Sequence, residues 1–326
     1  MDALNWKPGW VPTPKDEWDD IIKNFIDKQE WIIDGNYGRK LDIRLESADK
    51  IIFLNMPMMV QMIVFLKYNT DYLYYRKDGV AMIQDSSTIC WNKAGKELCD
   101  IAQKNDFRMY FIMPYTLQQL GDVSDKKILD LGCGEGGYSR ALAHKGANVT
   151  SIDCAIDAIN YAIEKANEEG LKIKHFVRNS NDLYDIGDGI FDIVLCAMML
   201  MDCEDLFGTV KEISRVLKPG GKLFVSVLHP CFNGKNIRWT GGDDETKVVV
   251  ENYFSPKEWK KQIVGISSPI IFRHRTLQEY VKVFTQNGLR IVDMNEPLPT
   301  NEQIVKSSRI GQLLKIPMFL FMELKK

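Results

Sequence analysis

From residue 127 onward the chain alternates between short apolar runs and segments whose apolar residues recur every three or four positions. KILDL (127–131), VTSID (149–153), IKHFV (173–177), DIVLC (192–196) and KLFVSVL (222–228) have the length and composition of buried strands. LRIVDMN (289–295) and MFLFMEL (318–324) predict two more, which makes seven. Between them, AIDAINYAIEKANEEG sets Ile156, Ile159 and Ile163 on one helical face and ends at Gly170. DLFGTVKEISRVLKPGG sets Leu206, Val210, Ile213 and Leu217 on another and stops at Pro219-Gly220. Such alternation predicts an α/β fold, a largely parallel sheet with right-handed crossovers and helices on both faces.

Two stretches depart from this rhythm. Residues 230–275 carry Trp239, Tyr253, Phe254 and Trp259 among glycines and charges, between the fifth and sixth strands. An insertion over the active edge of a sheet reads as a substrate lid, although the aromatics suit the packing of a small subsheet equally well. Residues 1–70 are rich in tryptophan and proline. WIIDGNY (31–37) and DKIIFLNMP (49–57) predict two buried strands after a helix over Lys15–Lys28. Together with DALNWKPGW, these segments resemble the middle of an adenylate-kinase-like P-loop protein of the DNA topology modulation type. The G-x-x-x-x-G-K-[ST] loop of that family is absent from the sequence, so a triphosphate has no anion site and no kinase activity is expected. The boundary is placed at 75/76: a small N-terminal α/β appendage over 1–75, and the main domain over 76–326.

The segment LDLGCGEGGY (129–138) supports two readings. Gly132, Gly134 and Gly137 spell the G-x-G-x-x-G of a dinucleotide turn, with Asp153 about twenty residues on to hold a ribose. Asp130, Gly132, Gly134 and Gly136 spell D-x-G-x-G-x-G, the loop of S-adenosylmethionine enzymes. A pyrophosphate is repelled by nearby carboxylates, whereas a sulfonium with an α-ammonium is attracted. Asp130 and Glu135 in one short window therefore favour the second ligand.

With FDIVLCAMML and RVLKPGGKLFVSVLHP following in order, residues 86–326 resemble the class I S-adenosylmethionine-dependent methyltransferases. The resemblance implies a Rossmann-like sheet of seven strands, the last antiparallel, with the cofactor at the C-terminal ends of the first strands. Carried over by position, Gly132 and Gly134 face the methionine part and Asp153 the ribose. Cys154 lies against the adenine edge, and Asn181, Asp182 and Leu183 meet the adenine. Cys196 and Ala197 offer backbone contacts near the methionine carboxylate. Asp130 acts through loop amides or the ammonium, and Asp192 is structural.

The implied reaction is an S_N2 displacement on a small-molecule acceptor, which needs a base only if the acceptor must lose a proton. HPCF and the HRTL…NGLRI…NEP segments resemble a cytosolic subset of ubiquinone/menaquinone type. His229 is the expected catalytic residue, with capping of a strand end before Pro230 as the alternative. His274, Arg273, Tyr253, Trp91 and Tyr110 complete the expected substrate wall, with Arg108 near the methionine end. The competing functions are a nicotinamide-dependent oxidoreductase and a non-catalytic module that senses S-adenosylmethionine.

Composition narrows these further. Of 326 residues, 45% are hydrophobic and 26% charged, and the net charge of −2 advertises no nucleic-acid or membrane partner. Neither N-P-P-[YFW] nor D-P-P-Y, the motifs of nucleic-acid amino methylation, occurs. The cysteines at 90, 99, 133, 154, 196, 203 and 231 form no C-x-x-C pair, and the four histidines are far apart, so neither a disulfide framework nor a metal site is expected. A reducing cytoplasm fits. No secretion signal opens MDALNW, and the apolar run at 56–66 is too short to span a bilayer. The appendage is too small to bury its apolar area alone, including Trp6, Trp10, Trp18 and Trp31, so a homodimer through it is expected.

Overall fold

The computed structural model describes residues 85–326 apart from 236, 242–244, 255–257 and 264, and, before residue 85, positions 6–7, 11–12, 17, 20–21, 23–24, 27, 31–34, 50–54, 62–67, 73–75 and 81–83. The chain divides into Met1–Asp85 and Ser86–Lys326, ten residues beyond the boundary read from the sequence.

In the first unit the short strands β1 (Trp6–Lys7) and β2 (Val11–Pro12) pair antiparallel. Strands β3 (Trp31–Asp34) and β4 (Lys50–Leu54) stand where two buried strands were expected. Between them lies an unforeseen strand, β5 (Met62–Lys67), antiparallel to both. It is drawn from the apolar run at 56–66. A hairpin of β6 (Leu73–Tyr75) and β7 (Ala81–Ile83) completes the described strands. Residues 35–37 and much of the expected helix over 15–28 lie outside the described residues, as do the four tryptophan side chains.

The second unit opens with helix α1 (Ser86–Ala102), a π-helical turn (Arg108–Ile112) and α2 (Met113–Leu120). Then come β8 (Lys127–Leu131), α3 (Gly137–His144), β9 (Asn148–Asp153), α4 (Ile156–Glu168), β10 (Lys174–Val177), β11 (Phe191–Ala197), α5 (Leu206–Val216) and β12 (Leu217–Leu228). Two hairpins follow, β13 (Ile237–Thr240) with β14 (Lys247–Val250), and β15 (Glu258–Lys261) with β16 (Ile270–Arg273). Helix α6 (Leu277–Gln286), β17 (Arg290–Asn295), α7 (Asn301–Lys306) and β18 (Phe319–Lys325) close the unit.

The sheet order is β10-β9-β8-β11-β12-β18-β17, with β18 antiparallel to both neighbours. All seven expected strands are present. Period-two alternation sorts their side chains into two cores. Leu129, Val194, Leu223, Val225, Leu320 and Met322 face one side, packed with α5 and α6. Ile128, Ile193, Leu195, Phe224, Phe319 and Phe321 face the other, with α2 and α3.

Two expectations need correction. Helix α4 buries Ala158, Ile159, Ala162 and Ala166, while Ile156 and Ile163 are exposed. Close packing selects the small side chains: a Cβ on Gly95 of α1 would lie 3.3 Å from the Cβ of Asp157. Strand β12 begins at Leu217, before Pro219-Gly220. Its register with β11 shifts between Phe191 and Ile193, so the proline and glycines occupy an irregular strand start.

Candidate functional site

The chain runs β8 to β10 in one direction across the sheet and β11 to β12 in the other, so a crevice opens beyond the C-terminal ends of β8 and β11. The glycine loop lies there. Gly132, Gly134 and Gly136 have φ of 71°, 53° and 77°, a left-handed backbone that side-chain-bearing residues rarely adopt. A Cβ on Gly132 would stand 2.6 Å from that of Met199, whereas one on Gly134 would meet nothing within 4 Å, so the cradle is open at Gly134. The Gly132 and Cys133 amides donate to the Ile152 carbonyl at 2.8 and 3.0 Å. The Gly134 amide donates to Asp153 Oδ2 at 2.8 Å, and Ala155 donates to Oδ1 at 2.9 Å. Cys154 hydrogen-bonds to the same carboxylate, a cluster of acceptor oxygens of the kind to which the two hydroxyls of a ribose diol donate. Burial raises the Asp153 pKa, against the pull of these two amides. This open cradle ending on a half-buried carboxylate fits S-adenosylmethionine.

The other acids behave differently. Asp130 is buried and accepts from Ser139 Oγ at 2.5 Å, and Ser151 Oγ donates to Ser139 Oγ at 2.8 Å. With the Gly132, Cys133 and Gly134 amides spent elsewhere, this hydroxyl relay, and not those amides, is what Asp130 engages. Burial lifts its carboxyl from the ordinary 3.8 to about 7. Glu135, also buried, is held by Arg108 and by Arg140 Nη2 at 3.1 Å. Its charge is matched by two arginines, so it offers no free attraction to a cationic ligand as the sequence suggested.

On the adenine side the structure rearranges the expected residues. The Leu183 side chain is in the core and its amide donates to Glu212 Oε2 at 3.0 Å. Asn181 Nδ2 turns to Asp205 Oδ2 at 3.2 Å, while the Asp182 amide closes a turn on the Asn179 carbonyl. Asn179 follows β10 directly beyond the Arg178–Asp153 backbone bond and donates to Thr88 Oγ1 at 3.1 Å. Cys154 is half-buried next to Asp153. Cys196 is fully buried with its thiol pushed up by burial, and Ala197 pairs with Ser226 across β12. Asp192 accepts from Lys127 N and Lys218 Nζ at 2.8 and 2.6 Å, a structural tie.

On the substrate side, Trp91 packs with Ala155 and Ala158, on the Asp153 side of the loop. Tyr110 is exposed on the π turn, two residues from Arg108. His229 is buried. Its Nδ1 accepts from the Cys231 amide at 3.1 Å and its Nε2 lies 2.6 Å from Glu296 Oε1, so Nε2 carries the proton. Both nitrogens are engaged, and His229 has the turn-clamping geometry named above as its alternative. Burial lowers its pKa against the opposing pull of Glu296. Arg273, expected in the substrate wall, instead donates to Ser86, Ser87 and the Asp202 carbonyl, with its side chain 7% exposed. His274 donates Nε2–H to the Tyr253 carbonyl at 2.8 Å, which leaves the lone pair on Nδ1, facing Gly234. Tyr253 lies edge-on to His274 and to Phe254, with ring centroids 5.2 Å apart in each pair. No group of three or more histidine, cysteine, aspartate or glutamate residues among the described residues is placed to hold a metal.

Known proteins resemble this chain in sequence and in fold. A family model described as a methyltransferase domain matches residues 129–225. The ubiquinone biosynthesis O-methyltransferase of Colwellia psychrerythraea is 31% identical over 183 residues, 54% of this chain and 74% of that protein. That of Idiomarina loihiensis is 37% identical over 139 residues, where the match spans 43% of this chain and about half (55%) of the relative. A crystal structure of an S-adenosylmethionine-dependent methyltransferase from Mesorhizobium loti aligns over 69% of this chain and 100% of its own. Its TM-score is 0.58 at 22% identity, a likeness of fold.

Proposed function

The chain belongs to the class I S-adenosylmethionine-dependent methyltransferases, and on that premise we propose that it methylates a hydroxyl oxygen on a small aromatic acceptor of quinone or phenol type. The observation that carries this reading is the group of aromatic side chains in and beside the insertion. Phe232 lies 4.5 Å from the His229 ring, Trp239 donates to the Phe232 carbonyl, and Tyr253, Phe254 and His274 stack edge-on. The names of the matched relatives agree with it.

When bound, S-adenosylmethionine supplies an electrophilic methyl group on a sulfonium. The glycine loop and Asp153 orient it, and the insertion excludes water and aligns the acceptor oxygen. A phenolic hydroxyl, with an ordinary pKa near 10, must surrender its proton as it attacks. His274 has an uncommitted Nδ1 lone pair on a ring fixed by the Tyr253 carbonyl, and is the residue we assign to that proton. His229 braces the turn after β12.

The test is mass spectrometry of products from the purified chain, S-adenosylmethionine and parallel catechol, hydroxybenzoquinone, thiol and amine acceptors. Methyl ethers from the first two are expected, and transfer confined to thiols or amines would overturn the oxygen assignment. The same reading places the protein in the cytoplasm, in keeping with its seven free thiols, and assembles it as a homodimer through residues 1–75.

A further inference from the structure

Two arginines at the end of the insertion hold five consecutive carbonyls, 200–204, of the loop that follows β11. Arg275 Nη1 donates to Leu200 O at 3.1 Å and Met201 O at 2.9 Å, and its Nη2 donates to Cys203 O and, at 3.3 Å, to Glu204 O. Arg273 Nη1 takes the carbonyl left over, Asp202 O, at 2.7 Å. Five consecutive backbone acceptors thus converge on two guanidinium groups, the planar donor forks suited to such a task. The loop's own bonds form one turn, the Asp202 and Cys203 amides donating to Met199 O and Cys203 Sγ to Leu200 O, and the two guanidinium groups tie the outer side of that turn to the end of the insertion.

The loop touches the cofactor cradle at one end and the insertion at the other. Met198, with φ of 59°, and Met199 begin it, and Met199 packs on Gly132 closely enough to forbid a side chain there. Arg273 ends β16 and also reaches Glu258 of β15 at 3.2 Å and Ser86 and Ser87 of α1. Tyr280 of α6 shares a side-chain hydrogen bond with Arg275.

We infer that Arg275 is a positioning residue for methyl transfer: it fixes the 200–204 loop so that occupation of the glycine cradle is transmitted to the β15–β16 hairpin. The inference rests on the chain being a methyltransferase and is independent of the acceptor proposed above.

Hydrogen–deuterium exchange of the full chain, with and without S-adenosylhomocysteine, tests it. In the wild type, protection by this ligand covers residues 132–137 and extends to 199–204 and 258–273. Exchange in the hairpin slows by about tenfold, equivalent to about 1.4 kcal/mol of coupling. In Arg275→Ala the protection of 132–137 persists, that of 258–273 falls away, and added guanidinium at low millimolar concentration restores it. Arg275→Lys, which keeps the charge but loses the fork, gives the same loss should the alanine variant fold poorly. Hairpin protection that is equal in the variants and the wild type, or missing from the wild type, would overturn the inference. Failure of the ligand to protect 132–137 in the wild type would instead refute the cofactor assignment beneath it.

Discussion

Asp130→Asn should make the protein more stable at neutral pH while removing a charge from its centre. In the native chain burial lifts this carboxyl from 3.8 to about 7, with the bond from Ser139 opposing the rise. At about 1.36 kcal/mol per pH unit, the buried charge costs about 4 kcal/mol once ionised. Its sign follows from proton binding. Between about pH 4 and pH 7 the folded carboxyl keeps its proton and the unfolded one has lost it, so the folded state binds more protons. Stability therefore falls as pH rises through that interval and levels off above it. Asp202, buried and likewise raised to about 7 against the pull of Arg275 and Arg273, adds a second contribution of the same sign. Asparagine keeps an acceptor for Ser139 and cannot ionise. The variant should lose about half of the slope and, at pH 8, melt about 8–16 °C higher, since 1 kcal/mol moves a unit of this size by roughly 2–4 °C. Calorimetry of both proteins at half-unit intervals from pH 4.5 to 8 measures this. Parallel wild-type and variant curves would show that Asp130 is ionised throughout and the argument from burial is wrong.

Asp153→Ala removes the acceptor of the Gly134 and Ala155 amides together with the ribose partner; S-adenosylhomocysteine affinity should drop by about 1.5–3 kcal/mol, roughly tenfold or more in Kd, and an unchanged titration isotherm would unseat the assignment. His274→Asn should lower catechol turnover by about two orders of magnitude or more with cofactor affinity retained, whereas His229→Asn should chiefly lower the melting temperature; the opposite pattern would return the base to His229. Removing residues 1–85 should lower the mass seen by light scattering from that of two full chains to that of one shortened chain and spare S-adenosylhomocysteine binding, and an unchanged number of subunits would refute assembly through the appendage.

What could be read from the chain alone follows from the range of the forces involved. The central strands were legible because their residues are apolar on both faces, and the glycine loop because its backbone needs positive φ at fixed intervals. Helix α4 was misread because the hydrophobic weight of Ile156 and Ile163 outranked alanines that are buried by the closeness of α1. Glu135 looked like a ligand because its partner Arg108 lies 27 residues earlier. Arg273 looked like a substrate contact because the serines and carbonyl it holds lie 71–187 residues away. The sequence put His229 ahead of His274 as the base without sight of their tautomers, which are set by the groups each ring meets only in the fold: the Cys231 amide and Glu296 for His229, the Tyr253 carbonyl for His274.

The position of β18 bears on how the molecule is made. It is the last strand of its sheet in sequence, yet it is inserted between β12 and β17 and bonded to both, with Phe319, Leu320, Phe321, Met322 and Leu324 all buried. On the ribosome, β12 emerges some ninety residues before its neighbour and waits with an unpaired edge beside a half-built core. Neither core can close until residues 319–325 have cleared the exit tunnel, so folding of this unit is governed by contacts of long sequence separation. The nascent chain, more than the finished enzyme, is the form most exposed to chaperones and to aggregation.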